Sequence, residues 1–258
     1  MRRELVFADP HAPLHDEKYL NVLLQAIEIV KPHTVRCVGD FGEWDSVSPW
    51  QFKRRKRPPL EYILDALTME AEEVNAVLDR IDETCKSAGV KKKHMHMGNH
   101  EIWLENLHEE HPYLEWVLPW HIMELNKRKW TWTPNHKLVN VEGLIMYHGN
   151  AYGGIYHGAN NLRKFGNVDI MYGHLHDYQI HSASLVEGTA KAYCIGCGKK
   201  MDRDSNDWVG PRAMNWSHAF AIASFFRGIH TVEVVEVKDG RATLWGHELN
   251  GGTNGTKK

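Results

Sequence analysis

Five short segments of this 258-residue chain bring together the residue types that hold metal ions: Asp9-Pro10-His11, Gly39-Asp40, Gly98-Asn99-His100, His148-Gly149 and Gly173-His174-Leu175-His176. Carboxylate and amide oxygens mixed with imidazoles suit Mn²⁺, Fe or Zn²⁺ better than Ca²⁺, which takes oxygen alone. One carboxylate shared by two such ions holds them about 3.5–4 Å apart, the spacing that clamps the attacking and leaving oxygens of a phosphoryl displacement. The neighbouring glycines let the backbone turn sharply where ligands have to converge. Taken singly, a D-x-H or an H-x-H is more often a capped loop or a solvated strand end. The signal is their joint occurrence.

The elements that must position these residues are legible as periodicities. Leu5–Ala8 is a short apolar run ending at Asp9, and Tyr19–Val30 places Leu20, Leu23, Leu24, Ile27 and Val30 on one helical face before Pro32 stops it. Thr34–Val38 is a second strand, closing at Gly39-Asp40. A strand, helix, strand unit makes the two strands parallel, so Asp9 and Asp40 emerge at the same sheet edge, where open α/β sheets bind ligands. Leu60–Ser87 carries apolar residues at helical spacing and returns the chain to a third strand, His94–Met97, which delivers Asn99 and His100 to that edge. Glu101–Leu125 is helical in tendency, with breaks at Pro112 and Pro119. Beyond it come shorter runs: a hairpin of 138–141 and 144–148, a helix over Ala159–Phe165, a strand over Asp169–Tyr172 that ends at Gly173, and a β-rich C-terminal part. Strands are expected at 185–186 and 190–195, around a Glu187-Gly188 turn. The fold class expected is α/β, with one domain over residues 1–249 and an unstructured tail at 250–258, NGGTNGTKK.

The order D-x-H, G-D, G-N-H-E, a lone His and G-H-x-H resembles the calcineurin-like metallophosphoesterase superfamily, over Asp9 to His176, with a layout similar to members from bacteriophage genomes. The resemblance implies two packed mixed β-sheets flanked by helices, four layers in all, with the metals at the sheet edge. Carried over position by position, it implies Asp9, His11 and His176 on one metal, Asn99, His148 and His174 on the other, and Asp40 bridging them. It implies hydroxide held by two divalent ions, Mn²⁺ first and Fe, Zn²⁺ or Ni²⁺ as alternatives, as the attacking group. His100 is then the residue that faces the scissile phosphate and protonates or stabilises the leaving oxygen. Glu43, three residues after Asp40, is the carboxylate that family spacing suggests for orienting it. The Ser/Thr protein phosphatase branch carries G-D-x-x-D-R-G, whose Arg grips phosphate; here Gly39 to Asp45 reads GDFGEWD, without that Arg.

For the substrate, Lys53, Arg54, Arg55, Lys56 and Arg57 beside Trp44, Trp50 and Phe52 offer cations for a phosphate backbone and rings for unpaired bases. The bland alternative is a solvated basic loop. Tyr152, Tyr156, Trp208 and Trp216 are pocket walls or core. Three readings stand at this point: a phosphodiesterase on nucleic acid or nucleotides, a phosphomonoesterase on a small molecule or protein, and a scaffold that has lost catalysis. The net charge of −2, from 31 Lys and Arg against 33 Asp and Glu, supplies no global attraction to nucleic acid. No apolar run reaches membrane-spanning length and Met1–Ala8 runs straight into a strand, so the expected place is the cytoplasm. Four cysteines fit reduced thiols there, and Cys194-x-x-Cys197 lacks the second pair of a zinc site. Oligomeric state is not legible.

Overall fold

In a computed structural model that describes residues 1–53, 56–186 and 188–252, the first half of the chain builds one sheet and its helices. Strand β1 (Arg2–Phe7) leads to α1 (Glu17–Val30), then β2 (Thr34–Cys37), α2 (Leu60–Ser87), β3 (Lys92–His96), α3 (Asn99–Glu110), α4 (Pro119–Ile122) and β4 (Trp130–Thr133). The Asp16 carboxylate accepts the Tyr19 N–H at 2.8 Å and caps α1, satisfying one donor that the first turn leaves unpaired. Lys31 ends that helix in a left-handed conformation. The expected strand, helix, strand logic holds: β1, β2, β3 and β4 are mutually parallel neighbours.

The second half builds the other sheet. It runs β5 (Val139–Val141), β6 (Leu144–Met146), α5 (His157–Lys164), β7 (Ile170–Tyr172), β8 (Tyr178–Leu185) and β9 (Gly188–Ile195). Then β10 (His218–Phe226) and β11 (Ile229–Val237) return to the first sheet as antiparallel partners, and β12 (Arg241–Leu244) pairs with β13 (His247–Asn250). Strand order is β11-β10-β1-β2-β3-β4 in one sheet and β5-β6-β7-β9-β8 in the other. Both are mixed.

Alternation along β1 explains the layering. Leu5 and Phe7 face the helices with Leu23, Ile27, Leu67 and Leu78, while Val6 and Ala8 face the second sheet with Met146, Met171 and Ile195. On the outer face of that second sheet, Ile170, Tyr172, Ala192 and Cys194 pack with Leu162 of α5. The result is helix, sheet, sheet, helix, with a hydrophobic layer at each junction.

Three elements differ from the sequence reading. Strand β4 was not anticipated, although Thr-Trp-Thr alternation after Trp130 is a strand signal; it is only 4 residues long and follows a basic turn. Strand β8 spans 8 residues rather than 185–186, because its alternation of exposed and half-buried positions carries polar residues on both faces. Glu187, in the expected turn, lies outside the described residues. The tail was expected to begin at residue 250, but Asn250 pairs with Arg241 in β13, and Gly251 donates its N–H to the Gly240 carbonyl at 2.8 Å. Residues 253–258 lie outside the described set. No described helix is long and apolar enough to cross a membrane.

Candidate metal centre

The C-terminal ends of β1, β2, β3, β6 and β7 meet at one edge of the two sheets, and all seven expected ligands converge there. Asp9, His11 and His176 form one group whose donor atoms lie within 4.8 Å of one another; Asp40, His148 and His174 form another. His11 Nε2 and His176 Nε2 approach to 3.0 Å, and Asp9 Oδ1 stands 3.8 Å from His176 Nε2. On the other side His148 Nε2 lies 2.9 Å from Asn99 Oδ1, 3.2 Å from Asp40 Oδ2 and 3.2 Å from His174 Nδ1. Asp40 Oδ2 is also 3.9 Å from His11 Nε2, so this carboxylate stands between the two groups.

Local backbone conformation aims these side chains. Asp9, His11, Asp40, His174 and His176 all have φ between 46° and 67°. Each left-handed L-residue costs roughly 1 kcal/mol, and such outliers collect where surrounding structure forces them for function. Two glycines make the convergence sterically feasible. A Cβ on Gly98 would lie 2.0 Å from Asp40 Oδ1, and one on Gly173 would lie 2.1 Å from Asp9 Oδ2. Across this gap the His174 N–H donates to Asp9 Oδ2 at 2.8 Å, which a side chain at Gly173 would prevent.

The residues fit divalent cations. Asp9 Oδ1 is fully buried with no hydrogen-bond partner among the described residues, an arrangement that a bound cation relieves. Burial pushes the His11 and His174 pKa values down to about 4, so both rings are neutral at pH 7 with a lone pair to offer. Burial likewise raises the Asp9 pKa, with the Asp40 charge adding to it. At His148 burial opposes charge, but Asp40, Asp9 and the Val38 carbonyl outweigh it and carry the pKa to about 9. The proton held there would be displaced by a metal, as ligand imidazoles must be neutral.

Around these residues lies a supporting layer that sequence reasoning largely missed. The buried Glu101 carboxylate accepts N–H groups from Asp40, Phe41, Gly42 and Gly98 and the Trp44 indole N–H, at 2.7 to 3.3 Å. It ties the Asp40 loop to the start of α3. Its position three residues after Gly98 is capping-box spacing, a signal that was available. Lys199 is 2% exposed and grips Glu43 at 2.7 and 2.8 Å. No local pattern marks it, since its partner is 156 residues away.

Glu43 itself requires a correction. Its carboxylate lies 2.7 Å from His11 Nδ1, whereas His100 Nδ1 meets the Glu43 backbone carbonyl at 2.5 Å. The side chain therefore orients the His11 imidazole, leaving its Nε2 to face His176 and Asp40, and it is the Glu43 main chain that orients His100. Burial would raise the Glu43 pKa, but His11 and Lys199 hold it down at about 2. His100 Nε2 points into the site, 3.9 Å from Asp40 Oδ2, and its ring packs on Trp103 at 3.9 Å between centroids.

The expected substrate residues are less well placed. Arg57 pairs with Glu110 at 2.7 Å, at the far end of α3, about 16 Å along the helix from Asn99 at 1.5 Å per residue. Lys53 Nζ sits 4.8 Å above the Trp50 ring. Arg54 and Arg55 lie outside the described residues. Trp216 packs on the His176 ring at 4.4 Å, with Trp208, 62% exposed, beside it, whereas Tyr152 and Tyr156 are exposed. Cys194 and Cys197 are free and buried.

No protein-family model and no curated protein matches the chain. Among solved structures it is similar over nearly its whole length to Vps29 from Entamoeba histolytica complexed with zinc, at 12% identity and TM-score 0.46, covering 96% of this chain and 99% of that one. Vps29 from Chaetomium thermophilum gives 10% and 0.47, with 97% and 98% covered. The phosphoesterase YfcE from E. coli gives 14% and 0.42, with 86% and 88% covered.

Proposed function

We propose that this protein is a metal-dependent phosphoester hydrolase that uses two divalent cations, with phosphodiesters of nucleic acid or nucleotides as its substrates. The observation that carries the reading is Asp40. Its buried carboxylate stands between an Asp9/His11/His176 group and an Asn99/His148/His174 group, the donor arrangement that a cation pair requires. Bound there, such ions supply Lewis acidity to phosphoryl oxygens and a water of lowered pKa as nucleophile. Mn²⁺ is the first expectation, with Fe, Zn²⁺ and Ni²⁺ accepting the same donors.

The chain's own residues would do the rest. Glu43 and Lys199 hold His11 in the tautomer that presents Nε2. The Glu43 carbonyl fixes His100 through Nδ1–H, so that a protonated Nε2 is free to hand its proton to the departing oxygen. Trp103 packs on the His100 ring and Trp216 on the His176 ring, which limits the orientations of both. The nucleic-acid preference leans on Lys53 and the aromatic residues near it, with the Arg57 cation already partly neutralised by Glu110.

Hydrolysis of bis-p-nitrophenyl phosphate, p-nitrophenyl phosphate and labelled single- and double-stranded DNA, with Mn²⁺ and after chelation, tests this directly. Metal-dependent cleavage of the diester or DNA is the expected result. Turnover of the monoester alone would replace the diesterase reading with a phosphomonoesterase, and no turnover with any of the metals would leave a scaffold.

A further inference from the structure

At the opposite end of the first sheet from Asp9 and Asp40, the starts of β1 to β4 open onto a cavity of about 610 Å³. Arg2, Thr34, Lys92 and Thr131 line it from these four strands, and Asn140 and Val141 of β5 with Glu142 after it line it from the second sheet. Seven residues of extended chain separate Arg2 from Asp9, about 23 Å at 3.3 Å per residue, so the cavity is remote from the metal centre.

Its charge is lopsided. Arg2, Arg36, Lys91, Lys92, Lys93 and Lys129 line it against two carboxylates, Glu4 and Glu142, in a chain whose net charge is −2. Both carboxylates are engaged: Glu4 by Arg36 at 2.9 Å and Glu142 by Arg2 at 2.9 Å. Lys93 turns to Asp82 at 2.5 Å, on the helix side of the sheet. Lys91, Lys92 and Lys129 are exposed at the rim and have no anionic partner among the described residues. The Nε of Arg2 is buried with no acceptor among those residues. Three uncompensated ammonium groups around one recess repel one another, and only an anion between them reverses the sign of that interaction. Thr34, Thr131 and Asn140 add neutral polar groups to the lining.

We propose that this recess is a second binding site, for a small multiply charged anion of the oligophosphate class. Its volume falls in the range of small-molecule sites, well above a single phosphate. Ammonium groups on flexible stems suit phosphate oxygens spread over more than one phosphorus.

Calorimetric titration with methylenediphosphonate, which resists hydrolysis, tests the site. The wild-type chain and an Asp40→Asn variant are expected to bind with similar affinity, while Lys91→Glu with Lys92→Glu weakens binding at least tenfold. Lys129→Asn, chosen because Asn tolerates the left-handed backbone at that position, is expected to weaken it less and to leave thermal unfolding unchanged. No binding by the wild type overturns the proposal. So does binding that Asp40→Asn abolishes and the lysine variants leave intact, since the probe would then sit at the metal centre. Equal affinity for citrate would overturn the phosphate class.

Discussion

At the residue scale, His100 and Glu43 are separable by experiment because they touch different things. His100→Ala leaves all seven candidate ligands in place, so metal content should stay unchanged while turnover of esters with poor leaving groups falls by about 10²–10⁴-fold. Comparing an alkyl ester with a p-nitrophenyl ester checks this, since the activated leaving group needs little protonation. Glu43→Gln should show the reverse balance. It removes the charge 2.7 Å from His11 Nδ1 and strands the Lys199 ammonium, so metal affinity should drop about 10–100-fold, measured by titration with Mn²⁺. Intact metal affinity with lost turnover would return Glu43 to the role that sequence spacing suggested.

At the element scale, the loops after β2, β3 and β7 are held by close backbone approach as much as by side chains. Gly173→Ala is the sharpest probe, because its Cβ would lie 2.1 Å from Asp9 Oδ2 and 2.5 Å from the Ala8 Cβ. Neither neighbour is the end of a flexible chain, so the Asp9 loop must move. The expected outcome is weaker Mn²⁺ binding in a protein that still folds, seen by titration together with circular dichroism. Glu101 works at the same scale, organising the Asp40 loop and the first turn of α3 with one carboxylate. Leaving its five N–H donors unpaired in Glu101→Ala should destabilise the protein by roughly 3–5 kcal/mol in urea denaturation, the range for breaking a buried charged network.

At the scale of the whole molecule, the half-buried lining of the rear recess, where His94 sits, sets a pH dependence. Burial and the neighbouring Arg36 lower the His94 pKa to about 3, while its ring nitrogens face the hydroxyls of Thr131 and Thr133. The unfolded chain takes up a proton near pH 6.5 and the folded chain does not. Stability from this group is therefore fully present above pH 6.5 and is lost as pH falls from there towards about 3, by at most about 1.4 kcal/mol per pH unit. Denaturation at pH 7 and pH 5 should give a smaller difference for His94→Gln than for wild type.

Much of the centre was already legible in the sequence, since Asp9, His11, Asp40, Asn99, His148, His174 and His176 sit at the ends of runs whose periodicity marks them as strands. A strand end fixes where a side chain emerges, and parallel connections bring those ends to one edge. Local patterns also carried α1, α2, the β5–β6 hairpin and the α/β class, while the packing of two sheets in four layers came from the resemblance of the motif order alone. They failed for β4 and β8, whose short or polar segments become strands only because a neighbour supplies hydrogen bonds. Tertiary structure alone decided which atom of Glu43 meets which histidine, because a side chain and a carbonyl of one residue point in different directions. It also decided the burial of Lys199, whose carboxylate partner lies 156 residues away, and the cluster of lysines around the rear recess. Each depends on distances between segments far apart in the chain, which spacing along it does not encode.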